Sequence, residues 1–347
     1  MKLFPRAIFL DSGGVINDND RRAPQWIYHL QEFMPLTQLG GPGHLWGRAN
    51  AILTNRLFTE DPAGGVRDWD RLLQEAKDFD DFDRQYLLYW IHNSVKLVNQ
   101  FLKEEHEQGS EVLQQKGQGE EHSPTWVQIV LPESEEEQIR IARDAHMYCT
   151  SLVQADYPGA VEAILDLKFK QGLEMYTCSG EAATELELTF RTLGISTVSA
   201  SEAVVEELPH HPSSPSSLEE EMAAVASRRL QPVFTKLYGP DLIRCQKSSS
   251  RFYELIFKDS GVNPNEAVIV DDKEYILGWA KVHGARTVMI SDKNRRGKEL
   301  LVEVEEKDEQ GKIVAVKKVP AVDHQLGSLA ELPALVASWR KEEMKEV

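Results

Sequence analysis

The sequence predicts an α/β protein in which an open parallel sheet is interrupted by a helical insertion. Short apolar runs that end in a carboxylate lie near the start of the chain, at 7–11, and in its last third, at 267–272. Bounded apolar runs of this length are typical of buried parallel strands. Between them, residues 18–157 show helical periodicity and no convincing strand alternation. The pattern therefore indicates one α/β core with one inserted helical segment.

The first element is the run AIFLDSGGVI at 7–16, in which four apolar residues precede Asp11, Ser12, Gly13 and Gly14. A buried strand that ends in a carboxylate and turns through two glycines places a reactive group at the carboxyl edge of a sheet. Open α/β sheets bind their ligands at that edge. An ordinary strand followed by an Asp-Ser-Gly turn explains the stretch equally well. This segment alone leaves the two interpretations open.

The inserted segment contains three helical apolar periods, which begin at Trp26, Trp69 and Tyr86. Part of it, residues 103–140, is dominated by Glu, Gln and Gly. That composition predicts a solvated loop or a mobile insertion, because it offers little apolar surface to bury.

The α/β pattern resumes near residue 158. Residues 172–180 form a short apolar run that ends at Ser179, and a second low-complexity stretch, rich in Pro and Ser, follows at 196–231. The remaining predicted elements are a third strand near Val233, a helix at 273–283, a strand at 285–290, a β-hairpin at 299–319 and a closing helix from Leu329.

A lysine and an acidic pair lie in the same part of the chain. Lys247 precedes a predicted helix that Gly261 ends, and a turn then leads into the apolar run AVIVDD. That run ends at Asp271 and Asp272. The second half of the chain therefore places a cation and two carboxylates next to predicted strands and helices.

In this order and spacing, the elements resemble the haloacid dehalogenase superfamily of phosphohydrolases. That family carries a nucleophilic Asp after its first strand and a Ser or Thr after its second. A Lys precedes a later helix, and an acidic pair or Gly-Asp follows the fourth strand. Asp11, Ser179, Lys247 and the pair at 271–272 match these positions. The resemblance implies a Rossmann-like parallel sheet core with an inserted helical cap domain.

The resemblance also implies domain boundaries. The core is expected at 1–17 and 158–347, and the helical cap, which closes over the site and reads the substrate in this family, at 18–157. Two insertions are expected in the core, a flexible one at about 196–231 and the β-hairpin at about 299–319, and the cap is expected to contain the acidic insertion at about 103–140.

The activity implied is that of a Mg²⁺-dependent hydrolase that forms an aspartyl-phosphate intermediate. Attack by a carboxylate splits one difficult step into two, and Mg²⁺ prefers oxygen ligands. By resemblance the Mg²⁺ ligands would be Asp11, the backbone carbonyl of Gly13 and an acid of the 271–272 pair. Asp272 occupies the position that usually ligates directly, and Asp271 would assist or orient.

The resemblance assigns the substrate to a neighbouring set of residues. Lys247 would hold the charges of the nucleophile and the phosphate together, and Ser179 would hydrogen-bond a phosphate oxygen. Gly180, next to Ser179, belongs to the same substrate-binding loop. Asp11, Ser179 and Lys247 are the expected catalytic residues, and the expected substrate is a small phosphorylated metabolite.

One departure from the family pattern concerns the acid–base group. Most phosphatases of the family carry a second Asp two residues after the nucleophile, where this chain has Gly13. General acid–base help is worth about 10²–10⁴-fold in rate. The leaving group could need little protonation, as in an acyl phosphate or a pyrophosphate, or another residue such as Asp18 or Asp20 could replace the acid.

Two further interpretations stay open. The protein could be weakly active or non-catalytic, binding Mg²⁺ and phosphate ligands in a regulatory role. Branches that hydrolyse carbon–phosphorus or carbon–halogen bonds also lack this Asp. The dehalogenating branch does not depend on a metal, so the retained pair at 271–272 argues against it.

Some residues outside the matched motifs are candidates for binding an anionic substrate. Arg21 and Arg22 follow the nucleophile turn directly, and Arg48 and Arg67 lie in the predicted cap. A guanidinium suits phosphate or carboxylate recognition. A solvated hinge or surface explains each of them as well.

Composition limits the partners. The chain has 347 residues, which predicts two domains, and a net charge of −17 from 39 basic and 56 acidic residues. Such a charge disfavours nucleic acid and anionic membranes as partners. Three cysteines suggest reduced thiols in an intracellular protein, and the absence of a signal peptide or a long apolar stretch predicts a soluble, cytoplasmic protein. The oligomeric state stays undetermined.

Overall fold

The computed structural model describes residues 4–59, 66–115, 127–195, 197, 232–291, 300–307 and 313–346. The chain divides into two compact units, which we call the core unit (1–22 with 154–347) and the helical unit (23–153). The low-complexity stretch predicted at 196–231 lies, apart from residue 197, outside the described residues.

All strands of the described residues belong to the core unit. In chain order they are β1 (Ala7–Leu10), β2 (Glu174–Thr177), β3 (Ala267–Asp271), β4 (Arg286–Ile290), β5 (Leu301–Lys307), β6 (Ile313–Pro320) and β7 (His324–Leu326). Five of them form a sheet in the order β2-β1-β3-β4-β7, and every neighbouring pair in it is parallel. The predicted α/β class, a Rossmann-like parallel sheet with a helical insertion, is confirmed.

Helices follow most of the strands and also build the insertion. They are α1 (Asn19–Glu32), α2 (Met34–Leu39), α3 (Gly43–Phe58), α4 (Asp68–Glu75), α5 (Phe79–Gln115), α6 (Glu135–Leu152), α7 (Ala160–Leu165), α8 (Ala183–Thr192), α9 (Pro240–Ile243), α10 (Ser250–Ser260), α11 (Glu274–Lys281) and α12 (Leu332–Glu346). The boundary between the two units lies inside α1.

The inner strand β1 is apolar throughout because both of its faces are buried. Ile8 and Leu10 pack into one hydrophobic cluster, whereas Ala7 and Phe9 pack into the cluster on the opposite face. This division follows from the two-residue side-chain period of a strand. The neighbouring strand β3 divides its residues between the same two clusters.

The register of the sheet aligns the ends of three strands. Leu10 is paired with Thr177 on one side and with Val270 on the other. The amide of Asp11 continues the ladder by donating to the Val270 carbonyl at 2.9 Å. The residues that follow β1 and β2, and the last residue of β3, therefore meet at one carboxyl edge.

The third strand predicted near Val233 is irregular in the structure. Thr235 and Lys236 exchange backbone hydrogen bonds with β2, and the Ser179 amide donates to the Tyr238 carbonyl at 3.1 Å. A single isolated bridge joins Lys236 to Tyr176. Since Gly239 and Pro240 follow directly, the segment turns away before a ladder forms.

The predicted β-hairpin is present as the antiparallel pair β5–β6, whose turn lies outside the described residues. Gly261, which was expected to end the helix after Lys247, caps α10 with a left-handed φ of 66°. Gly284 follows α11 with a φ of 96°. Both glycines adopt the conformation that favours glycine after a helix.

The acidic segment of the helical unit differs from the prediction. α5 continues to Gln115 and α6 starts at Glu135, so much of the loop predicted at 103–140 is helical. Glu, Gln and Lys are good helix formers even where they bury little. Ser134 caps α6 by accepting a hydrogen bond from the Glu137 amide, and residues 116–126 lie outside the described part.

Each helix of the described residues is too short or too polar to span a lipid bilayer. Cys149, Cys178 and Cys245 are all free, as expected for reduced thiols, and the first two are buried.

Candidate active site

The buried lysine at the carboxyl edge of the sheet contacts two aspartates. Nζ of Lys247 lies 2.6 Å from Oδ2 of Asp271 and 3.1 Å from Oδ1 of Asp11. The three side chains are 4%, 0% and 9% exposed, respectively. Lys247 reaches both aspartates because it lies in the loop before α10, and this loop runs along the edge of the sheet where β1 and β3 end. The structure thus brings together residues that are separated by more than 200 positions in the sequence.

The second acid of the pair occupies a different environment. Asp272 packs against Gly14, and a Cβ added to Gly14 would lie only 2.4 Å from Oδ2 of Asp272. Gly14 also has a φ of +80°, which favours glycine. Oδ1 of Asp272 is buried without a hydrogen-bond partner. A buried carboxylate oxygen without a partner is costly unless a ligand satisfies it.

The turn after β1 holds the nucleophile candidate. The Ser12 amide donates to Oδ1 of Asp11 at 2.9 Å, and the Gly14 amide donates to the Asn17 carbonyl at 2.7 Å. Nδ2 of Asn17 donates to Oγ of Ser12 at 3.1 Å. Gly13 lies in this turn and forms an isolated bridge with Asn17. The turn is therefore fixed by its own hydrogen bonds.

Burial raises the pKa of all three carboxyls at this edge. Desolvation raises the pKa of Asp11 to about 6, although the adjacent Lys247 charge opposes the shift. Desolvation also raises the pKa of Asp271 and of Asp272. The two carboxylates raise the pKa of Lys247 and more than offset its own burial. The raised carboxyl pKa values therefore reflect mainly the loss of water around these groups, which Lys247 offsets only in part.

One carboxylate oxygen from each of Asp11, Asp271 and Asp272 lies within 4.8 Å of the others. Clustered carboxylate oxygens are the ligands that Mg²⁺ takes in proteins. The unpartnered Oδ1 of Asp272 and the raised carboxyl pKa values fit a cation at this place. The geometry is therefore compatible with the metal site that the sequence predicts.

Ser179 and Gly180 lie on the neighbouring strand end. Ser179 is buried, and its Oγ accepts a hydrogen bond from the Glu181 amide at 3.2 Å. The pairing of β1 with β2 sets Ser179 at the level of Ser12. A Cβ added to Gly180 would find nothing within 4 Å, so its backbone is open on that side.

The side chain of Asn19 fills the space that a residue larger than glycine at position 13 would enter. A Cβ added to Gly13 would lie 3.0 Å from Oδ1 of Asn19 and 3.5 Å from its Nδ2. The sequence pattern did not indicate this contact, because it arises where the turn meets the start of α1. A carboxylate at position 13 would therefore require Asn19 to move.

Other candidates from the sequence take structural roles in the described residues. Asp18 accepts hydrogen bonds from the amides of Asp20 and Arg21 at the start of α1, which is a capping role. The Arg48 guanidinium lies over the Phe101 ring at 3.8 Å. Arg67 binds the carboxylate of Asp70 through two nitrogens.

Arg22, which the sequence offers as a candidate for binding an anionic substrate, instead forms an ion pair beside the nucleophile turn. Arg22 pairs with Oε1 of Glu181, and the charge of Asp11 adds to the effects that raise the pKa of Arg22. Glu181 lies two residues after Ser179, and in the sequence only this position could have indicated that it belongs near the site. The pair adds a carboxylate to the loop that carries Ser179.

Comparisons with known proteins give structural similarity only. No protein-family model matches the chain, and no curated protein matches it. Among solved structures, a dehalogenase with an intermediate complex is 17% identical over 96% of this chain and 97% of its own, with a TM-score of 0.43. The L-2-haloacid dehalogenase from Xanthobacter autotrophicus with covalently bound chloropropionic acid is 14% identical over 96% and 98%, with a TM-score of 0.46.

A third similar structure is CbbY from Rhodobacter sphaeroides in complex with phosphate. It is 15% identical over 94% of this chain and 96% of its own, with a TM-score of 0.42. The similar proteins thus include haloacid dehalogenases and a phosphate complex, at low identity. The function of this chain therefore has to be inferred from its own site.

Proposed function

We propose that this chain is a haloacid dehalogenase-like hydrolase, and within that group a Mg²⁺-dependent phosphohydrolase that acts through Asp11. The supporting observation is the position of Lys247 between Asp11 and Asp271, beside the unpartnered Oδ1 of Asp272. The three carboxylates are opposed by the charges of Lys247 and Lys273, which leaves a negative surplus. A divalent cation would neutralise that surplus, and an anionic phosphate could then bind at the same edge.

The hydrogen bonds of Asp11 indicate which oxygen attacks. Ser12 and Lys247 both contact Oδ1, which leaves Oδ2 as the nucleophile. Oδ2 forms a bond to phosphorus while the bond to the leaving oxygen breaks, and the leaving oxygen keeps the electron pair. Water then attacks the aspartyl-phosphate, phosphate departs, and the Asp11 carboxylate is restored.

The remaining residues of the site position Asp11 and the substrate and neutralise the charge of the phosphate. Lys247 holds Asp11 in place and offsets charge on the phosphate, and the Ser179 hydroxyl donates to a phosphate oxygen. When Mg²⁺ is bound, it supplies neutralisation of the non-bridging oxygens. Asp11, the Gly13 carbonyl and the 271–272 pair would hold it, as the buried unpartnered oxygen of Asp272 suggests. The expected substrate is a small phosphorylated molecule, and the helical unit is proposed as the cap.

Metal dependence is the direct test of this proposal. We expect phosphate release from a panel of monoesters, acyl phosphates, pyrophosphates and phosphonates in Mg²⁺, and its loss in chelator, because the surplus negative charge would then repel the substrate. Colorimetric phosphate detection measures both conditions. Readdition of Mg²⁺ after chelation is the control, and release that persists in chelator would contradict the proposal.

A carbon–halogen hydrolase is the second candidate, because Gly13 supplies no acid–base side chain. The same protein should then release halide from 2-haloacids in chelator and show no metal-dependent phosphate release. A regulatory protein would instead bind Mg²⁺, measured by calorimetry, with no turnover of either substrate class. The three proposals therefore separate on two readouts, turnover and its response to chelator.

The space near Gly13 gives a second prediction. G13D alone should add little activity on monoesters, because its Cβ would lie 3.0 Å from Oδ1 of Asn19. The double variant G13D/N19A clears that space, and we expect it to raise the monoester rate tenfold or more, since a positioned acid is worth about 10²–10⁴-fold.

The measurement for this prediction is the ratio of monoester to acyl-phosphate turnover in four proteins: wild type, N19A, G13D and the double variant. N19A is the matched control, because it removes the side-chain amide of Asn19 without adding a carboxylate at position 13. Equal ratios in all four, with folding intact by circular dichroism, would show that protonation of the leaving group does not limit this enzyme.

A further inference from the structure

The carboxylate of Glu181 is held from one side only. Its Oε1 pairs with Arg22, and these two side chains are 18% and 20% exposed. Its Oε2 is buried and has no hydrogen-bond partner. A buried carboxylate oxygen in this state is expected to meet a water molecule or a ligand, since an unmet acceptor is costly.

The backbone places this carboxylate next to the reacting groups. The Glu181 amide donates to Oγ of Ser179 at 3.2 Å, on the loop expected to bind phosphate. Ser12 lies close enough to the Glu181 carboxylate to lower its pKa, and the Ser12 amide donates to Oδ1 of Asp11 at 2.9 Å. Glu181 therefore lies near the turn that carries the nucleophile.

Local charges keep Glu181 ionised. Burial alone would raise its pKa, but Arg22, the Ser12 hydroxyl and the charge of Lys247 together lower it below the ordinary value. The neighbouring Glu185 differs, because burial and the Glu181 charge raise its pKa to about 7. Glu181 is therefore ionised at neutral pH, in the form that can accept a proton, whereas Glu185 is partly protonated there.

We infer that Glu181 is the general base for hydrolysis of the aspartyl-phosphate and replaces the carboxylate absent at position 13. The inference rests on the proposed function. A water molecule gives a proton to Oε2 of Glu181, and its oxygen bonds to phosphorus. The bond between phosphorus and the Asp11 oxygen breaks, its electron pair returns to the Asp11 carboxylate, and Glu181 passes the proton to the departing phosphate or to solvent.

A consequence concerns the first half of the reaction. An ionised base has no proton to give to the leaving group, so Glu181 serves the second step and leaves the first without an acid. The leaving groups that tolerate this are carboxylates and phosphates, which are stable as anions. Substrates of the acyl phosphate or phosphoanhydride class are therefore expected over alkyl monoesters.

The test is E181Q, with acetyl phosphate as substrate in Mg²⁺ and with rapid-quench detection of phosphoenzyme. We expect one equivalent of acetate to be released in a burst, phosphoenzyme to accumulate, and steady-state phosphate release to fall about 100-fold or more. E185Q is the matched control, because it makes the same change four residues later in the chain. There Glu185 accepts a hydrogen bond from the Ala182 amide at 3.3 Å. The E185Q variant should show no accumulation.

A second variant keeps the inference testable if E181Q does not fold. E181D retains the charge facing Arg22 but withdraws the carboxylate, and it should slow phosphoenzyme breakdown while leaving the burst unchanged. Wild-type turnover by E181Q would overturn the role of Glu181 but not the proposed function. Equal slowing of the acetate burst and of phosphoenzyme breakdown would do the same. Absence of phosphate release from the wild type would overturn the proposed function and this inference together.

Discussion

Replacing Asp11 by Asn is expected to abolish turnover while leaving the fold intact. The variant loses the attacking oxygen, and removal of a nucleophile costs about 10⁴-fold or more in kcat. The fold should persist because Asn is isosteric and because Lys247 keeps its 2.6 Å contact with Asp271. Loss of one of three clustered carboxylates also relieves repulsion at this edge. Phosphate release and thermal unfolding, measured on the same preparation, check both parts.

A matched variant separates a local effect from a general one. D166N makes the same chemical change in the same unit, where Asp166 pairs with Lys170 on the surface. It should keep wild-type turnover. Residual activity in D11N above one part in a thousand, with no phosphoenzyme in the wild type, would show that another group attacks the substrate.

The placement of the main site residues could be predicted because it depends on strand ends. Parallel strands that pair in register bring their carboxyl ends to one edge, so Asp11, Ser179 and Asp271 had to converge once the runs around them were assigned to strands. Lys247 was predicted from its place in the motif order. Its contact with both Asp11 and Asp271 is a property of the folded loop before α10.

Other features depend on contacts that no local pattern encodes. Asn19 meets Gly13 only because the turn after β1 doubles back onto the start of α1. Glu181 is set apart from the many other acids of this chain by its ion pair with Arg22 and by its buried, unpartnered Oε2. The helical stretch up to Gln115 was missed because acidic composition alone does not separate a solvated helix from a loop.

Asp271, which ends β3, and Asp272, which follows it, lie in different environments that their adjacency in the sequence does not reveal. Asp271 is fully buried, and its carboxylate accepts hydrogen bonds from Lys247 and from the Lys273 amide. Asp272 is less buried and leaves Oδ1 unpartnered. Asp271 therefore contacts Lys247 directly, and Asp272 has the unpartnered oxygen that we propose as a ligand of a cation.

The second large effect is expected from removing the lysine that these carboxylates share. K247M leaves Asp11 and Asp271 buried and facing each other without a cation. Breaking a buried ion pair by removing one partner costs about 3–5 kcal/mol, because the remaining charge is uncompensated. We expect a loss of this size in the free energy of unfolding of K247M, measured by urea titration at neutral pH in chelator, together with loss of phosphate release.

The double variant K247M/D271N decides whether uncompensated charge is the cause. Because the substitution of Asp271 removes the stranded carboxylate while conserving its shape, stability should return towards the wild-type value, whereas turnover stays lost. In a double-mutant cycle, the stability losses of two residues in direct contact are expected not to add. Additive losses in the double variant would mean that Lys247 stabilises the fold through the packing of its aliphatic stem rather than through Asp271. Full stability of K247M would mean that the two carboxylates already share a proton, and the proposed charge surplus at this edge would then be absent.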